Sequence, residues 1–65
     1  MREFLERYRG KKVAVGVQHQ EKAEKLYYHF GKLSRIEEDK IIIQNLEGFR
    51  IIKFSDIIDF HLARD

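Results

Sequence analysis

The residues of this 65-residue chain best suited to chemistry are cationic and aromatic side chains in its N-terminal half. Basic groups bind phosphates, and aromatic rings stack on nucleobases with little sequence preference. We therefore expect contacts to single-stranded RNA, with the basic groups on phosphates and Tyr27 or His29 stacking on a base. The expected phosphate contacts are Arg2, Arg7, Arg9, Lys11 and Lys12.

The distribution of charge along the chain supports a basic RNA-binding surface more strongly than the net charge does. Residues 1–36 carry nine basic and four acidic groups, a local +5, whereas residues 37–65 carry four basic and seven acidic groups, a local −3. The total of +2 is too small to argue for nucleic acid by itself. The alternative interpretation is a helix with a solvated basic face and tyrosines that belong to the core or to an interface.

Other kinds of chemistry find less support in the sequence. His19, His29 and His61 lie on separate predicted elements without ligand spacing, so we expect no metal and no cofactor. The carboxylates at 37–39 form an acidic turn. Ser34 and Ser55 stand in no nucleophile motif, and we therefore expect no enzyme activity.

The size of the chain indicates self-association. A domain this small buries only about 60% of the surface of its unfolded chain, so its core is marginal. The sequence has no cysteine for disulfides, which leaves oligomerisation as the common remaining way to stabilise it. No apolar run approaches the ~20 residues of a membrane helix, and the first residues lack a secretion-signal core, so we expect a cytoplasmic protein with no membrane partner.

A short helix is predicted over residues 1–9. Phe4, Leu5 and Tyr8 share one helical face, and Gly10 follows where a helix would end. Helices below ~12 residues are marginal in water, so this face must dock on a sheet.

The rest of the chain, 11–64, predicts five short strands. Four apolar runs, 26–33, 36–46, 49–54 and 57–62, are separated by turn residues, and before them Val13, Val15 and Val17 alternate with small residues. Gly31 marks a bulge or sharp bend, and the run 41–43 reads as buried on both faces. Residues 18–24 are polar and read as a loop or a frayed hairpin end. The fold class is therefore mainly β, a single domain (1–65) with a small five-stranded SH3-like barrel and a short N-terminal helix.

Two local sequence patterns also resemble the motifs of a known protein family. Gly31, Lys32 and Leu33 followed by Ile36 and Glu37 resemble the first motif of the Sm-like family. Residues 51–58 resemble the apolar strand, polar turn and apolar strand of its second motif.

The resemblance implies a homo-oligomer, in this family a ring formed by pairing of the fourth and fifth strands. We expect Ile57, Ile58 and Phe60 at that interface, because an apolar edge strand would aggregate unless paired. In the family's uridine pocket the aspartate position matches Glu37, which joins the expected RNA contacts. The asparagine position is Ile41, and residues 53–56 replace the Arg-Gly pair.

Together these features predict a non-catalytic, oligomeric Sm-like protein that binds single-stranded RNA through its basic helix surface, with no small-molecule substrate. The alternative is a protein-interaction or scaffold module that has the barrel fold and binds no nucleic acid.

Overall fold

The computed structural model of the chain describes residues 1–18, 21 and 24–63. The structure is mainly β with a short N-terminal helix, which confirms that part of the prediction. In chain order the elements are α1 (Arg2–Glu6), β1 (Lys12–Gln18), β2 (Leu26–Ile36), β3 (Lys40–Asn45), β4 (Gly48–Lys53), a 3₁₀ turn (Phe54–Asp56) and β5 (Ile57–Leu62).

The five strands form one antiparallel sheet in the order β4-β3-β2-β1-β5. Strand β1 lies between β2 and β5, while β4 and β5 are the two edges. Within the described residues these edges do not pair with each other, so the sheet is unclosed. The expected closure into a barrel stays a prediction.

The core lies on one face of this sheet, which we call the inner face. Strand alternation directs Val13 and Val15 of β1 and Ile41 and Ile43 of β3 to this face, where all four are buried. Ile42 is only half-buried on the outer face, so the expected burial on both faces of β3 does not hold. The remaining buried members of the core are Leu5, Leu33, Ile36 and Ile52.

The helix covers part of the inner face and is shorter than the predicted 1–9. Leu5 is fully buried, and the rings of Phe4 and Tyr8 pack against Phe60 of β5 with centroids 5.8 and 5.3 Å away. After Glu6 the chain turns, and Gly10 at φ +83° donates its N–H to the Leu33 carbonyl at 2.8 Å. Residues 7–9, the last part of the predicted helix, therefore form a turn that the Gly10 hydrogen bond joins to β2.

Gly16 leaves a gap on the outer face of β1 that Tyr28 of β2 fills. A Cβ at Gly16 would lie 3.0 Å from the Tyr28 ring, so this ring lies across the glycine. The Tyr28 hydroxyl donates to Asp59 Oδ2 of β5 at 2.6 Å. The contact joins the strands on either side of β1 and agrees with the close packing that this bare face suggests.

Strand β2 changes phase at Ser34, three residues after Gly31, where the sequence predicts a bulge or sharp bend. A Cβ at Gly31 would collide with a methyl group of Ile43 and lie 2.7 Å from the Gln44 carbonyl oxygen. The register with β3 then shifts between Leu33 and Arg35, which leaves Ser34 as an extra residue. The bulge turns both Leu33 and Ile36 to the inner face, although three positions separate them.

A second register shift changes the alternation of β5. Gly16 pairs with Asp59 and Val17 with Ile57, so Ile58 is the extra residue. Ile57 and Phe60 therefore pack against the core, whereas Ile58 is 58% exposed. The sequence pattern, which places Ile58 and Phe60 in one alternating set, does not anticipate this bulge.

Gly31→Ala is expected to destabilise the fold by about 1–3 kcal/mol, the usual range for overpacking a filled site. The added methyl group would meet backbone of β3, which cannot move without disturbing the strand pairing. Urea denaturation measures the change. The control is Ser34→Ala in the same strand, which should stay within about 0.5 kcal/mol of the parent; equal stability of both variants would contradict the close approach.

Candidate nucleic-acid interface

The basic helix surface consists of Arg2, Arg7, Arg9, Lys11 and Lys12, and all five side chains are exposed. Two of them have local partners. Arg9 Nη2 lies 2.6 Å from Glu6 Oε1, and Arg2 Nη1 donates to the Glu37 carbonyl at 2.7 Å. Within the described part of the chain, Arg7 and Lys11 form no ion pair. These two cations are the best placed to contact a phosphate.

Glu37 lies beside this surface, in the turn between β2 and β3. Its carboxylate lies 3.3 Å from Arg35 Nη2 and 3.8 Å from Lys40 Nζ. Lys40 also lies 3.7 Å from Asp39. Two of the three carboxylates of the acidic turn, Glu37 and Asp39, therefore have cationic partners, and each of these ion pairs contributes at most about 1 kcal/mol to stability.

Tyr27 and His29 lie together on the inner face at the beginning of β2. They are opposite Val17 and Val15 of β1, and their rings are nearly parallel, 3° apart in orientation with centroids 6.0 Å apart. Arg50 of β4 shares a cleft with them. Partial burial lowers the pKa of His29 below its ordinary value, and the positive charge of Arg50 lowers it further. His29 is therefore neutral at pH 7.

The fold brings the predicted RNA contacts together in two separate groups. Lys12 is opposite Lys32, whereas Tyr27 is opposite Val17, five residues further along β1. At about 3.3 Å per residue this separates the two ends by roughly 17 Å. Arg2 is joined to Glu37 and Tyr27 to His29, but the basic helix surface and the aromatic pair lie at opposite ends of β1.

The sequence prediction missed Arg50. In β4 it faces inwards opposite Ile43, in the same phase as the buried Ile52, while Ile51 faces outwards. The available signal was the spacing of Arg50 and the core residue Ile52, because residues two apart in a strand share a face.

The outer face carries a second polar cluster. Asp59 accepts from the Tyr28 hydroxyl and from the Phe60 N–H at 2.9 Å, and His61 Nδ1 lies 3.5 Å away. The Tyr28 bond is the main reason that the pKa of the Asp59 carboxyl is lowered, and the same bond raises the pKa of Tyr28. The cluster holds β2 to β5 and includes no activated nucleophile.

The expected interface residues differ in how they are placed. Ile58 is exposed on β5, whereas Ile57 and Phe60 are partly buried and pack against the core. On the opposite edge, Phe49 and Ile51 of β4 are exposed. Both edges therefore present apolar side chains to solvent.

The described residues contain no group of three or more His, Asp or Glu side chains that could hold a metal ion. Of the histidines considered as ligands, His19 lies outside the described residues. None of the helices in the described ranges has the length and apolar character needed to cross a membrane.

Comparison of the chain with protein-family models, with curated proteins and with solved structures found no match.

Arg50→Gln is expected to raise the pKa of His29 without restoring its ordinary value, because burial is the larger cause of the shift. The imidazole of His29 binds a proton more readily in the unfolded chain than in the folded chain. The folded state therefore loses stability as the pH falls below about 6.5. Imidazole NMR signals followed through a pH titration measure the pKa. Lys53→Gln, which removes an exposed charge from the same strand, should leave it unchanged; an equal effect of both variants would refute the specific contact.

Proposed function

We propose that this chain is a non-catalytic, self-assembling Sm-like protein that binds single-stranded RNA. The observation that supports this most is the sheet order β4-β3-β2-β1-β5, preceded by a helix, with β4 and β5 as open edges. These are the strands through which Sm-like proteins form rings. Within the described residues, β4 and β5 each pair with only one neighbouring strand. In Sm-like proteins the next subunit supplies the second neighbour.

The same proposal includes curvature of the sheet into the small barrel of this family. The close approach of β3 at Gly31 and the bulge at Ser34 support a strong bend in β2. Bends and bulges at defined positions are how short sheets curl. In addition, the Phe54 N–H donates to the Asp39 carbonyl at 2.9 Å, which joins the turn before β5 to the turn before β3.

Pairing of β4 with β5 of another copy would cover both apolar edges. Each edge strand has six residues, long enough to recruit another strand, and exposed apolar edges aggregate unless they are paired or protected. Contact between two different surfaces of identical subunits produces a ring when the rotation closes. Ile58 on β5 and Ile51 on β4 are the expected centre of this contact.

Ile58→Asp is expected to convert the assembly to monomers without unfolding them. The residue is already exposed in one subunit, but the assembly would bury its charge against an apolar neighbour. Native mass spectrometry gives the mass of the assembly, and circular dichroism checks the fold. The control is Leu46→Asp, which places the same charge on a fully exposed leucine in the β3–β4 turn and should leave the mass unchanged. An unaltered mass for Ile58→Asp would refute the interface.

RNA binding is proposed to begin at the basic helix surface. Arg7 and Lys11 supply phosphate contacts there, beside Arg9 and Lys12. A strand of several nucleotides could extend over the roughly 17 Å to the aromatic pair Tyr27 and His29, since single-strand sites commonly cover about 4–16 nucleotides. The phosphate contacts and the stacking contacts are then separate parts of one path.

The double variant Arg7→Ala with Lys11→Ala is expected to weaken binding of a mixed-sequence RNA of about ten nucleotides. It should also reduce the slope of log affinity against log salt by about 1.4, since each phosphate contact on a single strand contributes about 0.7. Fluorescence anisotropy at several salt concentrations measures both quantities. The charge-matched control is Lys25→Ala with Lys53→Ala, two exposed lysines outside the surface, which should change neither affinity nor slope markedly.

The alternative, a scaffold module without nucleic-acid binding, has one observation in its favour. Arg9 and Arg2 are engaged by Glu6 and by the Glu37 backbone, which reduces the charge offered to a phosphate. A stable assembly that shows no affinity for RNA at low salt would favour this alternative.

A further inference from the structure

A cleft lies on the inner face and is lined by residues of β1, β2, β4 and β5. Its volume is about 750 Å³, within the range of about 300–1,000 Å³ that is usual for small-molecule sites. Val17 and Ile52 supply apolar lining, and Tyr27, His29 and Arg50 enter from the adjoining strands. Ile51 and Ile58, the expected centre of the contact between subunits, also line the cleft, so in the proposed assembly the next subunit borders this site. The cleft lies at the opposite end of β1 from the basic helix surface.

The rings in the cleft are suited to a planar ligand. Tyr27 and His29 are two apart in β2, which fixes them side by side on one face with nearly parallel planes. More than half of Tyr27 is exposed, so a ligand in the cleft can reach this side chain. Since His29 is partly buried and neutral, stacking on this pair does not require a charged partner.

The polar groups of the cleft indicate a nucleobase rather than a phosphate. Arg50 offers guanidinium donors, but the acidic residues Glu21 and Asp56 also line the cleft. One cation among two carboxylates does not attract an anion strongly. The edge of a base carries both acceptors and donors, and these match a cleft lined by an arginine and by carboxylates.

We infer that this cleft binds one nucleobase, stacked on Tyr27 and His29 and hydrogen-bonded at its edge by Arg50. This deepens the proposed function, on which it rests, because it assigns the base-binding part of the RNA path to a site separate from the phosphate contacts. A free nucleotide and a base within an RNA strand offer the same ring, and the experiment distinguishes these two sources.

The probes are guanosine 5′-monophosphate, ribose 5-phosphate and a mixed-sequence RNA of about ten nucleotides, within the usual range of single-strand sites. Binding is followed by NMR shifts of His29 and by RNA anisotropy. Tyr27→Leu should weaken RNA binding by about 5- to 150-fold, which corresponds to the loss of one base stack. Tyr27→Phe should restore the affinity because it keeps the ring, and ribose 5-phosphate should not shift His29.

The matched control is Phe30→Leu. Phe30 lies in the same strand on the opposite face and is 58% exposed, against 56% for Tyr27, so the two substitutions remove rings of similar exposure. Phe30→Leu should leave the affinity unchanged. If it weakens binding and Tyr27→Leu does not, the base stacks on the outer face and the inference is wrong.

The other outcomes separate the inference from the proposed function. RNA binding that is unaffected by Tyr27→Leu would overturn the cleft and leave RNA binding intact. A nucleotide that shifts His29 in a protein without affinity for RNA would support the cleft as a site for free nucleotides and overturn the RNA function. No response to any of the probes would overturn both.

Discussion

The close approach of β3 to Gly31 is the constraint on which the rest of the structure depends. Because a methyl group of Ile43 occupies the place of a side chain at Gly31, β2 can pass close to β3 there, and the bulge at Ser34 follows three residues later. The bulge lets Leu33 and Ile36 both face the core. Without it, strict alternation would turn one of these side chains to solvent.

This constraint also determines where chemistry can occur. The first half of β2 places Tyr27 and His29 on the inner face, in a cleft that residues of β4 and β5 also line. The second half of β2 leads to the turn at Glu37, which the helix reaches through Arg2. A single long strand thus carries the aromatic pair at one end and lies beside the basic helix surface at the other.

Much of the fold could be read from local sequence. The alternation of Val13, Val15 and Val17 with small residues predicted β1, and the turn residues at 47–48 and 55–56 separated the last strands. The length of the helix could not be read in this way. Gly10 pairs with Leu33, which is distant in sequence, so a tertiary hydrogen bond decides where the helical turns end.

The candidate site was predictable only in part. Residue types marked the basic side chains and the aromatic residues, but not their separation, because the register of β1 against β2 sets that distance. Arg50 was missed since its role comes from facing His29 across the cleft rather than from any neighbour in the sequence. The bulge at Ile58 similarly turned one predicted edge residue outwards and left Ile57 and Phe60 against the core.

The sequence by itself determined the mainly β class, the number of strands and the charge imbalance, because these follow from side-chain alternation, turn residues and composition within short windows. Tertiary structure alone decided the strand order, the two open edges and the pairing of Tyr27 and His29 with Arg50 in one cleft. These depend on register shifts and on contacts between distant residues. A register shift of one residue reverses which face every later side chain occupies, so a single bulge changes the placement of a whole strand segment.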